Sequence, residues 1–263
     1  MLFGAKAKVA LRQAVAIACA VFASGNSKAD DAPVVAAASD LQIALTEISA
    51  SFTAETGERV RLTFGSSGNF ARQIRAGAPI ELFLSADEKL VTALAQDGFT
   101  DGEGALYAEG RLALIVPHAS PLNADGSLAD LRAAIADGRL RRLAIANPDH
   151  APYGQRAKEV LIAKGLWDQI QDKLVFGENV SQAAQFAVSG AAEGGIIALS
   201  LALAPAIAEL GASATIPAEW HQPLRQRMVL TRSAGGTARK FFDYVRGPTA
   251  RTILQDTGFT LPP

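Results

Sequence analysis

One stretch constrains this chain more than any other: Gly65-Ser66-Ser67-Gly68-Asn69-Phe70-Ala71-Arg72-Gln73-Ile74. Before it, Val60, Leu62 and Phe64 alternate with Arg59, Arg61 and Thr63, which predicts a strand with one buried face. After it, Phe70, Ala71 and Ile74 share one side of a helical turn, and Arg72 and Arg75 lie on another. The two serines therefore stand where a strand hands over to a helix. The first N–H groups of a helix lack intrahelical partners and carry a partial positive charge. A strand–helix turn of this kind binds anions, and its glycines allow a ligand to approach the backbone. Ser66 or Ser67 acting only as a helix cap is the simpler reading of this one junction.

The same handover recurs. The apolar run from Pro33 to Ala38 ends in Ser39-Asp40, and Leu41, Leu45, Ile48 and Phe52 follow at helical spacing. Ser39 and Gln42 fit a capping box, and Gly57 closes the helix. Ile80–Leu84 predicts a third strand, with Asp87 opening a helix through Leu90, Val91 and Leu94 that ends at Gly98. Further strands are expected at Leu112–Val116, Leu143–Ala146, Leu174–Phe176, Gly194–Leu199 and Arg227–Leu230. Helices are expected at Leu128–Ile135, from Pro152 to Gly165, from Asn179 through Val188, and at Lys240–Val245 and Ala250–Leu254. Tyr153 and Val180 mark two more strand–helix junctions. Repeated βα units imply an α/β fold with parallel sheets covered by helices, whose ligands bind outside the carboxyl ends of the strands. The absence of a low-complexity linker predicts lobes joined by short crossovers.

Several chemistries are excluded by the same residues. A P-loop needs Gly-Lys-Ser/Thr where Gly68-Asn69-Phe70 stands. A nucleophile elbow needs glycine at Asn69, and a dinucleotide fingerprint needs one at Ala71. His118, His150 and His221 form no i, i+4 pair, which argues against a metal site. His150 could line the cleft rim near Tyr153 but reads more simply as a solvated loop residue, and Trp167 and Trp220 read as core or interface aromatics. Glu81 and Asp87 could be an acid–base pair, but Asp87 is better explained as a helix cap.

The first 29 residues read as a secretory signal peptide. Lys6, Lys8 and Arg12 precede the apolar run Ala14–Ala23, and Ser27-Lys28-Ala29 places small residues before a cut at Asp30. Residues 30–263 would form the mature chain of 234 residues, which implies a periplasmic location. Cys19 falls inside the signal; its neighbours Ala16-Ile17-Ala18 match a lipoprotein box poorly. The mature chain then has no cysteine, so disulfide, thiol and cysteine-metal chemistry are excluded. Removing Lys6, Lys8, Arg12 and Lys28 from the 25 basic residues leaves 21 against 26 acidic ones, a net charge of −5. That balance argues against nucleic acid and anionic membranes as partners.

Five segments together resemble the periplasmic molybdate-binding proteins of bacterial ABC transporters. They are Ala36–Leu41, Gly65–Ile74, Gly77–Asp87, Asn147-Pro148 to Tyr153-Gly154, and Tyr244–Pro248 with Gly258-Phe259. The resemblance implies a two-lobed type II periplasmic-binding-protein fold, each lobe a mainly parallel sheet flanked by helices. Lobe I would comprise residues 30–111 plus 222–263, and lobe II residues 112–221. It also implies that hydroxyls and backbone amides bind a tetrahedral oxyanion with no basic side chain.

Residue by residue, Ser39 matches the first hydroxyl ligand of that family and Ser67 the second. Val180 matches a backbone N–H donor. Tyr153 matches a position that offers a hydroxyl in some members and only an N–H in others. Some members have a tyrosine where this chain has Ala198, so the hydroxyl of Tyr153 is expected to take over that role. Asp40 is admitted through its backbone N–H alone, since its carboxylate would repel a dianion.

The expected function is capture of molybdate, and of tungstate, for the permease of an ABC importer, by a monomer with no cofactor and no catalytic activity. No direct protein–metal bond is implied, because molybdenum arrives as its oxyanion. The rivals are a binder of sulfate or phosphate, a secreted serine hydrolase using Ser67, and an envelope scaffold.

Overall fold

The run after Pro33 forms β1 (Val34–Ala38), buried along nearly its whole length. Its side chains alternate between two cores. Val35 and Ala37 pack with Leu45, Ile48, Phe52 and Phe241 on one face. Ala36 packs with Phe70, Ile74 and Val91 on the other. A strand covered on both faces is what a parallel sheet between helical layers requires. The structure is a computed structural model and describes residues 32–262. The expected signal peptide and Cys19 lie outside the described residues.

From β1 the chain makes one 3-10 turn at Ser39–Leu41 and enters α1 (Gln42–Thr56), which ends at Gly57 with φ of 73°. Then come β2 (Arg61–Gly65), α2 (Ser67–Arg75), β3 (Ile80–Ser85), α3 (Glu88–Gln96) and β4 (Ala105–Gly110). After Arg111 the chain passes into β5 (Leu112–Pro117), α4 (Ala129–Asp137), β6 (Leu143–Ala146), α5 (Pro152–Ala163), α6 (Trp167–Ile170), β7 (Leu174–Gly177) and α7 (Val180–Val188). It continues through β8 (Gly195–Ala198), α8 (Leu199–Ala202), α9 (Pro205–Ala208) and β9 (Gly211–Thr215). It returns through β10 (Leu224–Leu230) to α10 (Gly236–Val245) and α11 (Pro248–Asp256).

These strands form two five-stranded sheets, ordered β2-β1-β3-β10-β4 and β7-β6-β8-β5-β9. In the first, β1 lies parallel between β2 and β3, and β10 runs against both β3 and β4. In the second, β6 lies parallel between β7 and β8, and β5 runs against both β8 and β9. Each sheet thus has four strands in one direction and one opposed, and the two orders match strand for strand. The opposed strand is the one entered just after the chain crosses between sheets. The result is a two-lobed, mainly parallel α/β fold of the type II binding-protein kind.

Several local expectations need correction. β9 is made of Gly, Ala, Ser and Thr, and β4 has only the adjacent Leu106 and Tyr107 as large apolar residues, so neither shows an apolar alternation. β2 sits at a sheet edge, so Leu62 and Phe64 are half-buried instead of fully covered. Leu199 opens α8 and does not extend β8. Ser39 makes no capping bond to α1, because the 3-10 turn intervenes and turns its hydroxyl elsewhere. Asp87 and Asn179 do cap their helices, accepting from Lys89 and Gln182 N–H, and Pro152 takes the first position of α5.

Candidate anion-binding cleft

Five strand ends, β1, β2 and β3 from one lobe and β6 and β7 from the other, lead into residues around a single gap. It is lined by Ala38, Ser39, Asp40, Gly65, Ser66, Ser67, Ala86, Ala151, Pro152, Tyr153, Asn179 and Val180. The cavity between these atoms has a volume of about 10 Å³, about what a single water needs, so a tetrahedral oxyanion enters only if the two walls part slightly. Among the described residues no Lys, Arg or His lines it, and Asp40 is the one carboxyl that does.

Three helices, α2, α5 and α7, begin on this gap. Ser67 and Val180 are the first residues of their helices and Tyr153 the second of its own. Among the described residues the backbone N–H groups of Ser67, Tyr153 and Val180 have no protein acceptor. Ser67 is buried, and its Oγ accepts from Ala86 N–H at 3.0 Å. That bond leaves the hydroxyl proton of Ser67 free to donate. Ser39 is likewise buried, and its Oγ accepts from Ser181 N–H, across the cleft, at 3.3 Å. The hydroxyls and the three helix starts therefore converge from both lobes on one small space whose field favours an anion.

Tyr153 departs from expectation. It is buried, and its hydroxyl donates to Asp40 Oδ2 at 2.8 Å. A phenol has one proton, so in this arrangement an anion can meet only the N–H of Tyr153. Gln226 Nε2 also donates to Asp40 Oδ2, at 2.6 Å, and lies 3.2 Å from the Tyr153 hydroxyl. Tyr107 completes the network by donating to Gln226 Oε1 at 2.6 Å. Gly110 makes room for it: a Cβ there would stand 2.9 Å from Gln226 Nε2 and overlap the Tyr153 hydroxyl. Desolvation pushes the Asp40 carboxyl up from 3.8 to about 6, partly offset by the bonds from Gln226 and Tyr153. Burial and the Asp40 charge push the hydroxyls of both tyrosines well above their ordinary range.

The lobes also grip each other at the cleft mouth. Ser66 Oγ donates to the His150 carbonyl at 2.6 Å, and Gly68 N–H donates to the same oxygen at 3.0 Å. His150 Nδ1 lies 2.9 Å from Ser66 Oγ. Asn69 Nδ2 donates to Glu178 at 2.9 Å, and Arg156 pairs with Asp87 at 3.3 Å. His150, expected as a solvated loop residue, is thus a largely buried closing contact. Sequence reasoning did not find Gln226, Tyr107 or Ser181. Gln226 had one signal: it falls in phase with the buried Leu224 and Met228 of β10, where an apolar residue is expected.

This geometry is that of a two-lobed solute receptor, and comparison with known proteins agrees. Residues 33–260 match the family described as bacterial extracellular solute-binding protein, and the chain belongs to that family. Molybdate-binding protein ModA of Rhodobacter capsulatus is 34% identical over 229 residues, covering 86% of this chain and 87% of that protein. ModA of Azotobacter vinelandii is 35% identical over 230 residues, covering 86% and 89%. The solved periplasmic molybdate-binding protein of Azotobacter vinelandii superposes with a TM-score of 0.80 at 33% identity, over 88% of this chain and 100% of that one.

Proposed function

We propose that this protein captures molybdate, and tungstate with it, in the interlobe cleft and delivers it to the permease of an ABC importer. The observation that carries this reading is the convergence of three helix starts and two serine hydroxyls on a gap that no cationic side chain lines. Relatives more than 30% identical over most of the chain are molybdate-binding proteins, which supports the choice of ligand. The anion accepts from Ser39 Oγ, Ser67 Oγ and the N–H groups of Asp40, Tyr153 and Val180. Each hydrogen bond to a charged partner is worth roughly 1.5–3 kcal/mol. About five of them support sub-micromolar capture, about −8 kcal/mol or better, after desolvation and ordering.

Capture takes place in the periplasm by a monomer, between lobe I (residues 30–111 plus 222–263) and lobe II (residues 112–221). The protein has no catalytic role and no nucleic-acid partner. Ser66, His150 and Glu178 resemble a hydrolytic triad in spacing, with His150 Nε2 3.6 Å from Glu178. The Ser66 proton, however, goes to the His150 carbonyl, so Nδ1 must donate to Ser66 Oγ and cannot act as its base. Titration calorimetry with molybdate, tungstate, sulfate and phosphate tests the reading. Sub-micromolar binding of molybdate and tungstate, with sulfate and phosphate far weaker, is expected; tighter binding of sulfate or phosphate would overturn the choice of ligand.

A further inference from the structure

The cleft holds one ionisable side chain that a receptor for dianions does not need. Asp40 is buried and lines the gap beside Ser39. Its Oδ2 accepts two donors, Tyr153 and Gln226. Its Oδ1 is buried and has no hydrogen-bond partner among the described residues. An ionised Asp40 would have the nearby N–H groups of Asp40 and Leu41 to favour its charge, but no hydrogen bond at Oδ1 among the described residues, and it would set a negative charge in a dry site beside a dianion. A neutral acid has neither problem. Oδ2 remains an acceptor for Tyr153 and Gln226, and a proton on Oδ1 becomes a donor seeking an acceptor. The oxygen of a bound oxyanion is such an acceptor.

We propose that Asp40 joins the site as a neutral carboxylic acid, its Oδ1–H donating to the bound anion, so that capture of a dianion takes up one proton from solvent. Release of the anion returns the proton. This rests on the anion-capture reading above and makes Asp40 a side-chain ligand where only its N–H was expected. The groups facing the carboxyl are Tyr153 from α5, Gln226 from β10 and Tyr107 from β4, with Ser200 from α8 donating to the Asp40 carbonyl at 2.9 Å. From α7, Ser181 meets the neighbouring Ser39. Both tyrosines stay neutral across the working range, and among the described residues no cationic side chain is seen acting on the carboxyl. Burial carries the group to about 6 even against the bonds from Gln226, Tyr153 and the backbone N–H groups of Asp40 and Leu41 that hold it down, and a dianion beside it raises it further. Between that value and the higher one in the complex, affinity falls by up to about tenfold per pH unit, the slope of one linked proton.

The test is calorimetric titration of the whole protein with molybdate from about pH 6 to pH 8.5, in two buffers of different ionisation enthalpy, with sulfate as a second anion. The expected result is affinity that declines as pH rises, with buffer-dependent heats reporting uptake of close to one proton near neutral pH. In Asp40→Asn the amide N–H stands where Oδ1–H stood, so its pH profile is flat and its heats do not depend on buffer. Wild-type affinity independent of pH, or an unchanged slope in Asp40→Asn, overturns the proposal. If that variant does not fold, the wild-type buffer dependence decides alone. A wild type that binds no tetrahedral oxyanion at any pH refutes the capture reading itself, and this inference with it.

Discussion

Replacing Gly68 by alanine tests whether the closed cleft is the binding form. Gly68 is the second residue of α2, and its N–H donates to the His150 carbonyl of the other lobe at 3.0 Å. A Cβ on Gly68 would lie 3.1 Å from both the carbonyl carbon and the Cα of His150 and would overlap the oxygen. The obstacle is backbone, so no rotamer change relieves it. The lobes must part by roughly 1 Å to restore ordinary contact distances of about 3.5–4.0 Å. Parting breaks the Gly68 bond to His150 and strains the Ser66 bond to the same oxygen. Two such bonds contribute about 0.5–1.5 kcal/mol each, so closure should weaken by about 1–3 kcal/mol. That corresponds to a loss of affinity for molybdate of about 5- to 150-fold. Within its own lobe the substitution is benign, since alanine is favoured over glycine in helices by about 1 kcal/mol. Calorimetry should therefore show weakened binding while the melting temperature of the unliganded protein is unchanged or higher. Small-angle scattering should show less compaction at saturation. Wild-type affinity with wild-type compaction would refute the reading of the closed cleft as the binding form.

Ser67→Ala removes a free hydroxyl donor and should weaken molybdate binding by roughly 1.5–3 kcal/mol; equal affinity by calorimetry would remove Ser67 from the site. Tyr153→Phe should act on Asp40 first, because that is where the hydroxyl proton goes. It should lower stability by about 0.5–1.5 kcal/mol in urea melts and reduce affinity less than tenfold. A larger affinity loss with an unchanged melting temperature would return the hydroxyl to the anion. Asp40→Asn should change how stability varies with pH in the unliganded protein. A carboxyl raised from 3.8 to about 6 on folding contributes stability that is full below the lower value and is lost as pH rises through the higher. Above pH 7 the variant should be the more stable by up to ~3 kcal/mol, since a tenfold change in acid strength corresponds to about 1.4 kcal/mol. Parallel urea midpoints for the two proteins from pH 4 to pH 8 would contradict this.

The parts of the fold that local chemistry dictates were legible in advance. Leu41, Leu45, Ile48 and Phe52 lie at helical spacing, and all four are buried. Asp87, Asn179 and Pro152 mark helix starts through bonds or geometry made within a few residues. The helix starts at Ser67, Tyr153 and Val180 follow from the same rules, which is why the candidate anion site could be located before any contact between lobes was known. β4 and β9 were not legible. Strands without an apolar alternation acquire their state only when a neighbouring strand offers its hydrogen bonds, and β10 and β5 do so from more than 90 residues away in sequence.

The same distinction explains why the partners of Ser39 and Tyr153 were not foreseen. Local pattern placed Ser39 in a capping box, but its oxygen accepts from Ser181, 142 residues away. The Tyr153 hydroxyl is taken by Asp40, 113 residues away, and Gln226 reaches that carboxyl across 186. The bonds of Ser39 and Tyr153 join the two sheets' ends across the cleft, and the bond of Gln226 crosses the first sheet from β10. None of them has a signature in a short segment. An anion held chiefly by backbone N–H groups depends little on which side chains surround it, since any sequence that starts a helix supplies the donors. The charge that the site will accept is decided elsewhere, by side chains such as Asp40 whose ionisation the whole closed structure sets. Capture of a tetrahedral oxyanion is therefore readable from short segments, whereas the pH dependence proposed for it would reside in contacts that exist only once the lobes meet.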